Sequence, residues 1–247
     1  MKSIGGLSLV AFFGIILISC LDAPQYSEIP DIEFEQIIFK DLKDPSSADS
    51  LIISIKFRDG DGNVGIGPTE TQEPYNDKYY FQFPDKKFIT YKTKRTVAGY
   101  DTLPAFVKPF NCTNWEVVKK DLDGSGVLKV VDTLYFQLNP NQHNIFISFQ
   151  VKDASGKFQD YEFSNFYTYP LCETIGYNGR FPILSKDLSQ PSPLEGSIRY
   201  TMASAGFNFF FTIRTLRLKV RIQDRALNKS NEILTPEFTL QSIKKGG

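Results

Sequence analysis

"LRLKVRIQD", residues 216–224, decides the fold class. Leu216, Leu218, Val220 and Ile222 take alternate positions, and Arg217, Lys219 and Arg221 fill those between. Side chains alternate across a strand with period two, so the apolar four face one way and the cations the other. That is a half-buried strand of an antiparallel sheet with one wet face. The strand runs into Asp224 and then "RALNKSN" (225–231), where Asn favours a turn. Two earlier segments finish in the same way: "IKFRDGDGNVG" (55–65) and "FQVKDASGKFQ" (149–159). Each is an alternating run, then Asp, then a small or Gly/Asn-rich turn, which reads as a strand entering a hairpin.

Outward from these, strand signals cover the chain. They are "FEQIIF" (34–39), "LIISIKF" (51–57), "YYFQF" (79–83), "KFITYKT" (87–93), "DTLYFQL" (132–138), "NIFISFQVKD" (144–153), "GSIRYTM" (196–202), "FNFFFTI" (207–213) and "PEFTL" (236–240). Aromatics make up 14% of the residues, which favours strands over helices. "FNFFFTI" is apolar on both faces of a strand. It reads as a central strand, or as one whose outer face covers a partner or an insertion. The closing strands resemble the final hairpin of an immunoglobulin-like or fibronectin-type β-sandwich. That resemblance implies an all-β, antiparallel fold and no function.

The N-terminus carries an address. Lys2 precedes an apolar run from Ile4 to Ile18, shorter than the roughly 20 residues a membrane span needs. Leu17-Ile18-Ser19-Cys20 then places a cysteine after a small residue. This resembles the lipobox of bacterial lipoproteins, in which the signal is removed and the cysteine carries the acyl chains. The resemblance implies a signal peptide at 1–19, lipidation of Cys20 and a Pro-containing tether at 20–33. Several acyl chains anchor stably, at roughly 0.8 kcal/mol per buried methylene. With the lipobox, "FRDGDGNVG" (57–65), "NGRFP" (178–182) and "DRALNKSN" (224–231) give the chain a layout that resembles outer-membrane lipoproteins of the Bacteroidota. The resemblance implies a lipid-anchored location, facing the cell surface or the periplasm, and attaches no activity.

Cys112 and Cys172 remain after Cys20, an even pair in an oxidising compartment. They are expected to form one disulfide; two free buried thiols are the alternative. Closing a loop of about 60 residues contributes about 4 kcal/mol on the chain-entropy model. Residues 34–247 are therefore expected to form one sandwich with a large disulfide-pinned middle at about 75–190. Two sequential sandwiches are the alternative.

Candidate sites are few. "DLDGSGVLKVVD" (121–132) puts oxygen donors at Asp121, Asp123, Ser125 and Asp132, the spacing of a twelve-residue calcium loop. The last ligand is Asp where Glu is usual, and the flanks read as strands. A calcium-binding β-loop and a plain polar turn are both open. Asp59, Asp61, Asn63 and Glu70 have similar spacing, but Val64 stands where the turn wants Gly, which favours the hairpin reading. His143 is the lone histidine, so any Ser–His–Asp or Cys–His device would need it; it reads as a turn or strand-edge residue. Trp115, Tyr79, Tyr80, Tyr177 and Tyr200 could stack on a sugar, with core packing the plainer reading. Ser50, Thr102 and Thr133 sit in "DSL" and "DTL" strings that resemble the Bacteroidota O-glycosylation sequon.

Lys+Arg and Asp+Glu balance at 28 each, so nothing favours nucleic acid. No catalytic constellation and no cofactor motif appears beyond the calcium-like loop. The expected function is a non-enzymatic binding or accessory subunit for an outer-membrane protein or lipoprotein partner, with "FNFFFTI" and "NGRFP" as places to look for the interface. The alternative is a glycan- or small-ligand-binding module beside an outer-membrane transporter. A carboxylate-based hydrolase ranks third, since no motif selects a pair of acids.

Overall fold

The structure is a computed structural model and describes residues 24–42, 47–102, 115–163, 176–204 and 206–245. Cys20, Cys112, Cys172 and the signal segment lie outside them.

Among the described residues, ten strands form three antiparallel sheets. β1 (Asp31–Lys40), β2 (Asp49–Asp59) and β8 (Leu194–Ser204) make the first, in the order β1-β2-β8. β6 (Ile145–Lys152), β7 (Phe158–Asp160), β9 (Leu216–Ile222) and β10 (Ile233–Leu234) make the second, in the order β10-β9-β6-β7. Their inner faces share one core. Leu51, Ile53, Ile55 and Phe57 of β2 meet Ile145, Ile147 and Phe149 of β6 and Leu216, Leu218, Val220 and Ile222 of β9. The alternation in 216–222 is realised as drawn: the four apolar residues are buried, with the three cations between them half-exposed. Outside, Arg217 lies 4.2 Å over the Phe158 ring and Arg221 4.6 Å over Phe146.

The third sheet is separate, with β5 (Leu128–Leu138) between β3 (Lys78–Tyr80) and β4 (Trp115–Asp121). It has its own buried residues, Ile89, Tyr135 and Phe136. Arg180 joins it to the rest, donating to the carbonyls of Glu70 (2.8 Å), Tyr75 (2.5 Å) and Gln142 (2.6 Å).

Three expectations change. The middle at 75–190 is not one insertion, because β6 and β7 pair into the second sheet; the added unit is the third sheet, inserted between β2 and β6. "FNFFFTI" is not a strand. Phe207–Phe211 is a short helix, α1, at the crossing from one sheet to the other. Its apolar residues serve the spacing i, i+4: Phe207 and Phe211 are fully buried, and Phe211 stacks 5.4 Å from Phe149. "KFITYKT" and "PEFTL" contribute only isolated bridges, Phe88 to Gln82, Thr90 to Leu134 and Phe238 to Leu216. Among the described residues no helix is long and apolar enough to cross a membrane.

Candidate functional site

The two ends of the sandwich differ in chemistry. The three recurrent strand-turn phrases become the same device, the first and last at one end and the Asp153 turn at the other, where Lys152 N–H bonds the Thr215 carbonyl: a strand-terminal Asp accepts the backbone N–H four residues on. Asp59 accepts from Asn63 (2.9 Å), Asp153 from Lys157 (3.0 Å) and Asp224 from Asn228 (2.7 Å). Such an Asp holds its turn much as an Asx-turn does.

The first and last of these turns meet. The Arg225 N–H reaches the Asn63 carbonyl at 3.1 Å and the Asn63 side-chain oxygen at 3.2 Å. The Arg225 guanidinium grips Glu70 with two bonds, at 2.7 and 2.6 Å, and holds the Glu70 carboxyl down to about 2. The N-terminal segment is fastened here too: Gly60 N–H donates to the Ser27 carbonyl at 2.7 Å. A Cβ on Gly60 would lie 2.8 Å from that carbonyl, so glycine is needed for the approach.

Asp59 is wholly buried in this junction. Burial, with the Asp61 carboxyl second, pushes it up to about 7. Asp224, also buried, is raised by burial foremost and by Asp61 as well, against the bonds it accepts from Asn228.

At the opposite end, α1 leaves an apolar tip. Asp49 is buried and ties it together, accepting from the Leu42 N–H (3.2 Å) and the Asn208 amide (2.9 Å). Around that anchor Leu42 is 48% exposed, Phe209 74% and Ile213 94%. A second exposed apolar group, Leu122, Val127, Leu128 and Val130, caps the two-stranded β4–β5 ribbon.

A cleft of about 710 Å³ opens beside β6 and β7. Asp77, His143, Ser148, Asp160, Glu162 and Asn178 supply its polar lining. Asp160 is engaged by the Gln150 amide at 2.6 Å, and Asn178 accepts from Ile147 N–H at 2.8 Å. His143 is lowered by burial and then by Arg180.

The other sequence-derived candidates fall as follows. Asp121, Asp123 and Ser125 share the β4–β5 turn, but their oxygens serve it. Asp121 accepts from Gly124 and Gly126 at 2.8 Å each, and Asp123 holds Ser125 (2.6 Å) and Lys129 (2.8 Å). Asp132 is not with them; it lies within β5 opposite Val118 and bonds the Lys92 and Thr133 N–H groups. Among the described residues no three His, Cys, Asp or Glu side chains form a metal-holding group. Asp59, Asp61, Asn63 and Glu70 do not form a ring either, since Glu70 turns to Arg225.

Tyr177 belongs to the core, packed 5.2 Å from Phe149, and Tyr200 donates to its carbonyl at 3.1 Å. Tyr80 bonds Glu116, Tyr79 is exposed on β3, and Trp115 is half-buried opposite Tyr135. "NGRFP" is a strut: Asn144 bonds both the N–H and carbonyl of buried Phe181, and Gly179 bridges to Ile145. Thr133 is buried, which hides its hydroxyl in the folded chain; Ser50 is half-buried and Thr102 exposed. The meeting of the Asp59–Asp61 turn with the final hairpin and the α1 tip were not legible as sites. Each joins residues about 160 positions apart, Asn63 to Arg225 and Asp49 to Asn208, and no spacing rule reports that.

Compared with known proteins, the chain matches no family model, no curated protein and no solved structure.

Proposed function

We propose that the chain is a lipid-anchored outer-membrane lipoprotein, held by Cys20, that acts as a non-enzymatic accessory or binding subunit of a partner protein. The body is an immunoglobulin-like or fibronectin-like sandwich. In support, β1-β2-β8 packs on β10-β9-β6-β7, a three-on-four arrangement with the crossovers of that superfold.

The observation that carries the binding role is the α1 tip. Leu42, Phe209 and Ile213 present apolar surface at one place, at the end of the sandwich itself, apart from the apolar cap of the β4–β5 ribbon. Its position favours a protein over the anchoring membrane. The N-terminal segment is fastened at Ser27 and Gly60, beyond the end of β2, whereas the tip is tied to Asp49 at the start of β2. An 11-residue strand separates the two ends, roughly 33 Å. Six residues of chain, from Cys20 to Tyr26, reach at most about 20 Å at full extension. An anchored body therefore carries the tip on the side away from its own anchor.

The test is recovery of a partner from gently solubilised membranes with tagged wild type and with Phe209→Asp/Ile213→Asp. Both side chains are exposed, so the double variant keeps the fold, and it loses the partner that wild type retains in fixed ratio. Equal recovery with both proteins would reject the tip as interface.

A second reading rests on the cleft. Its volume is within the usual range for small-ligand sites and its lining mixes Phe146 and Tyr161 with polar groups. A glycan or small-ligand module would use it. Glycan-array binding that is lost in Tyr161→Ala and kept in the tip variant would favour this reading.

A further inference from the structure

The Asp59–Asp61 junction poses a problem that no residue around it solves. Asp59 is fully buried, and its Oδ2 accepts from Asn63 N–H at 2.9 Å. Its Oδ1 is also buried and has no hydrogen-bond partner, the one such side-chain atom among the described residues. The Asp61 carboxylate converges on the same donor: its Oδ1 lies 3.3 Å from that Asn63 N–H nitrogen. Two carboxyl groups on one donor are close neighbours, and a buried unpaired oxygen between like charges is costly.

The surrounding charges do not relieve it. The final hairpin presents Asp224, another buried carboxyl, and Arg225, whose guanidinium is already gripped by Glu70. From β8 comes Glu195, which takes the Tyr26 hydroxyl at 2.8 Å and lies 3.8 Å from the Arg58 guanidinium. Arg58 also lies 3.5 Å from Glu33 on β1. Both arginines, Arg225 and Arg58, have carboxylates of their own.

We propose that Asp59 and Asp61 share one proton, and that this proton latches the anchored N-terminal segment and the final hairpin onto the end of the sandwich. Protonated on Oδ1, Asp59 becomes a donor, and the orphan oxygen is satisfied by the Asp61 carboxylate. The turn they hold is bonded to three other parts of the chain: Gly60 to Ser27, Asp61 to Ser192 and Asn63 to Arg225. When the proton leaves to solvent, two adjacent anions remain in the turn that these contacts depend on. The body then loosens at the end next to its anchor.

The test is thermal unfolding of the full chain in detergent, followed with pH, for wild type, Asp59→Asn and Asp61→Asn. In wild type Tm falls by roughly 5 °C from about pH 5.5 to about pH 8. Asp59→Asn replaces the shared proton with a permanent N–H donor, so the fall disappears and the variant is the more stable at pH 8. Asp61→Asn also flattens it. Difference infrared spectroscopy of wild type adds a readout independent of variant folding: a protonated-carboxyl band at pH 5.5 that is gone at pH 8. Relative to the intrinsic rise of amide exchange with pH, protection at Gly60 and Arg225 falls over the same range. An equal fall in all three proteins, or no protonated carboxyl at pH 5.5, would overturn the proposal. So would a wild-type Tm restored at pH 8 by calcium, since the pair would then hold a metal ion.

Discussion

Gly65 shows how little of the turn "DGDGNVG" is free to vary. Its φ is +104°, and a Cβ there would lie 2.5 Å from the backbone of Ile183 and collide with the Pro182 carbonyl. Gly65→Ala is expected to cost at least about 2 kcal/mol, measured by urea unfolding, because neither backbone can step aside. Glu70 and Asp59, in and beside that turn, respond oppositely to acid. Glu70 is held near 2 by Arg225, so its bond is intact above the ordinary carboxylate range and is lost as pH falls from about 4.5 toward 2. Asp59 is raised, so the folded state binds the extra proton and stability falls as pH rises from about 4 to about 7. Stability is therefore expected to peak in mildly acidic buffer. Glu70→Gln removes the acid limb and costs about 2 kcal/mol at neutral pH, since a charge-assisted pair becomes a neutral contact.

At the scale of elements, α1 separates core from surface within seven residues. Phe211→Ala is expected to cost about 3–5 kcal/mol, because the ring is fully buried against Phe149 and Phe163. Ile213→Ala, two residues on and 94% exposed, is expected to stay within about 0.5 kcal/mol. Calorimetry on the pair checks both. The same segment marks what the sequence concealed. Period two is unambiguous in 216–222, where polar and apolar residues alternate, and the strand is found there. "FNFFF" is apolar at every position but one, so a strand and a buried helix turn fit it equally well. Long-range packing on Phe39 and Phe149 decides for the helix. The "DLDGSG" turn reads two ways for a related reason. Alternating oxygens suit a metal, but they also suit capping of their own N–H groups, and Asp121 does the latter.

At the scale of the whole molecule, the all-β character and the antiparallel pairing were legible because strands 1, 2, 6, 8 and 9 each carry a strong pattern. The partition was not. "NIFISFQVKD" reads alike whether it belongs to an insertion or to the second sheet, and only its pairing with β9 places it in the sandwich. The result is a body with a fastened, acid-rich end beside the N-terminal segment and an apolar tip at the far end. That polarity is the basis of the accessory-subunit proposal, and cross-linking tests it most directly. A photo-reactive residue would be placed at position 213 in cells that make the protein, with position 226 in the final hairpin, exposed at the opposite end, as control. One discrete protein adduct from 213 and none from 226 is the predicted result. Adducts only with lipid, or the same adducts from both positions, would contradict it.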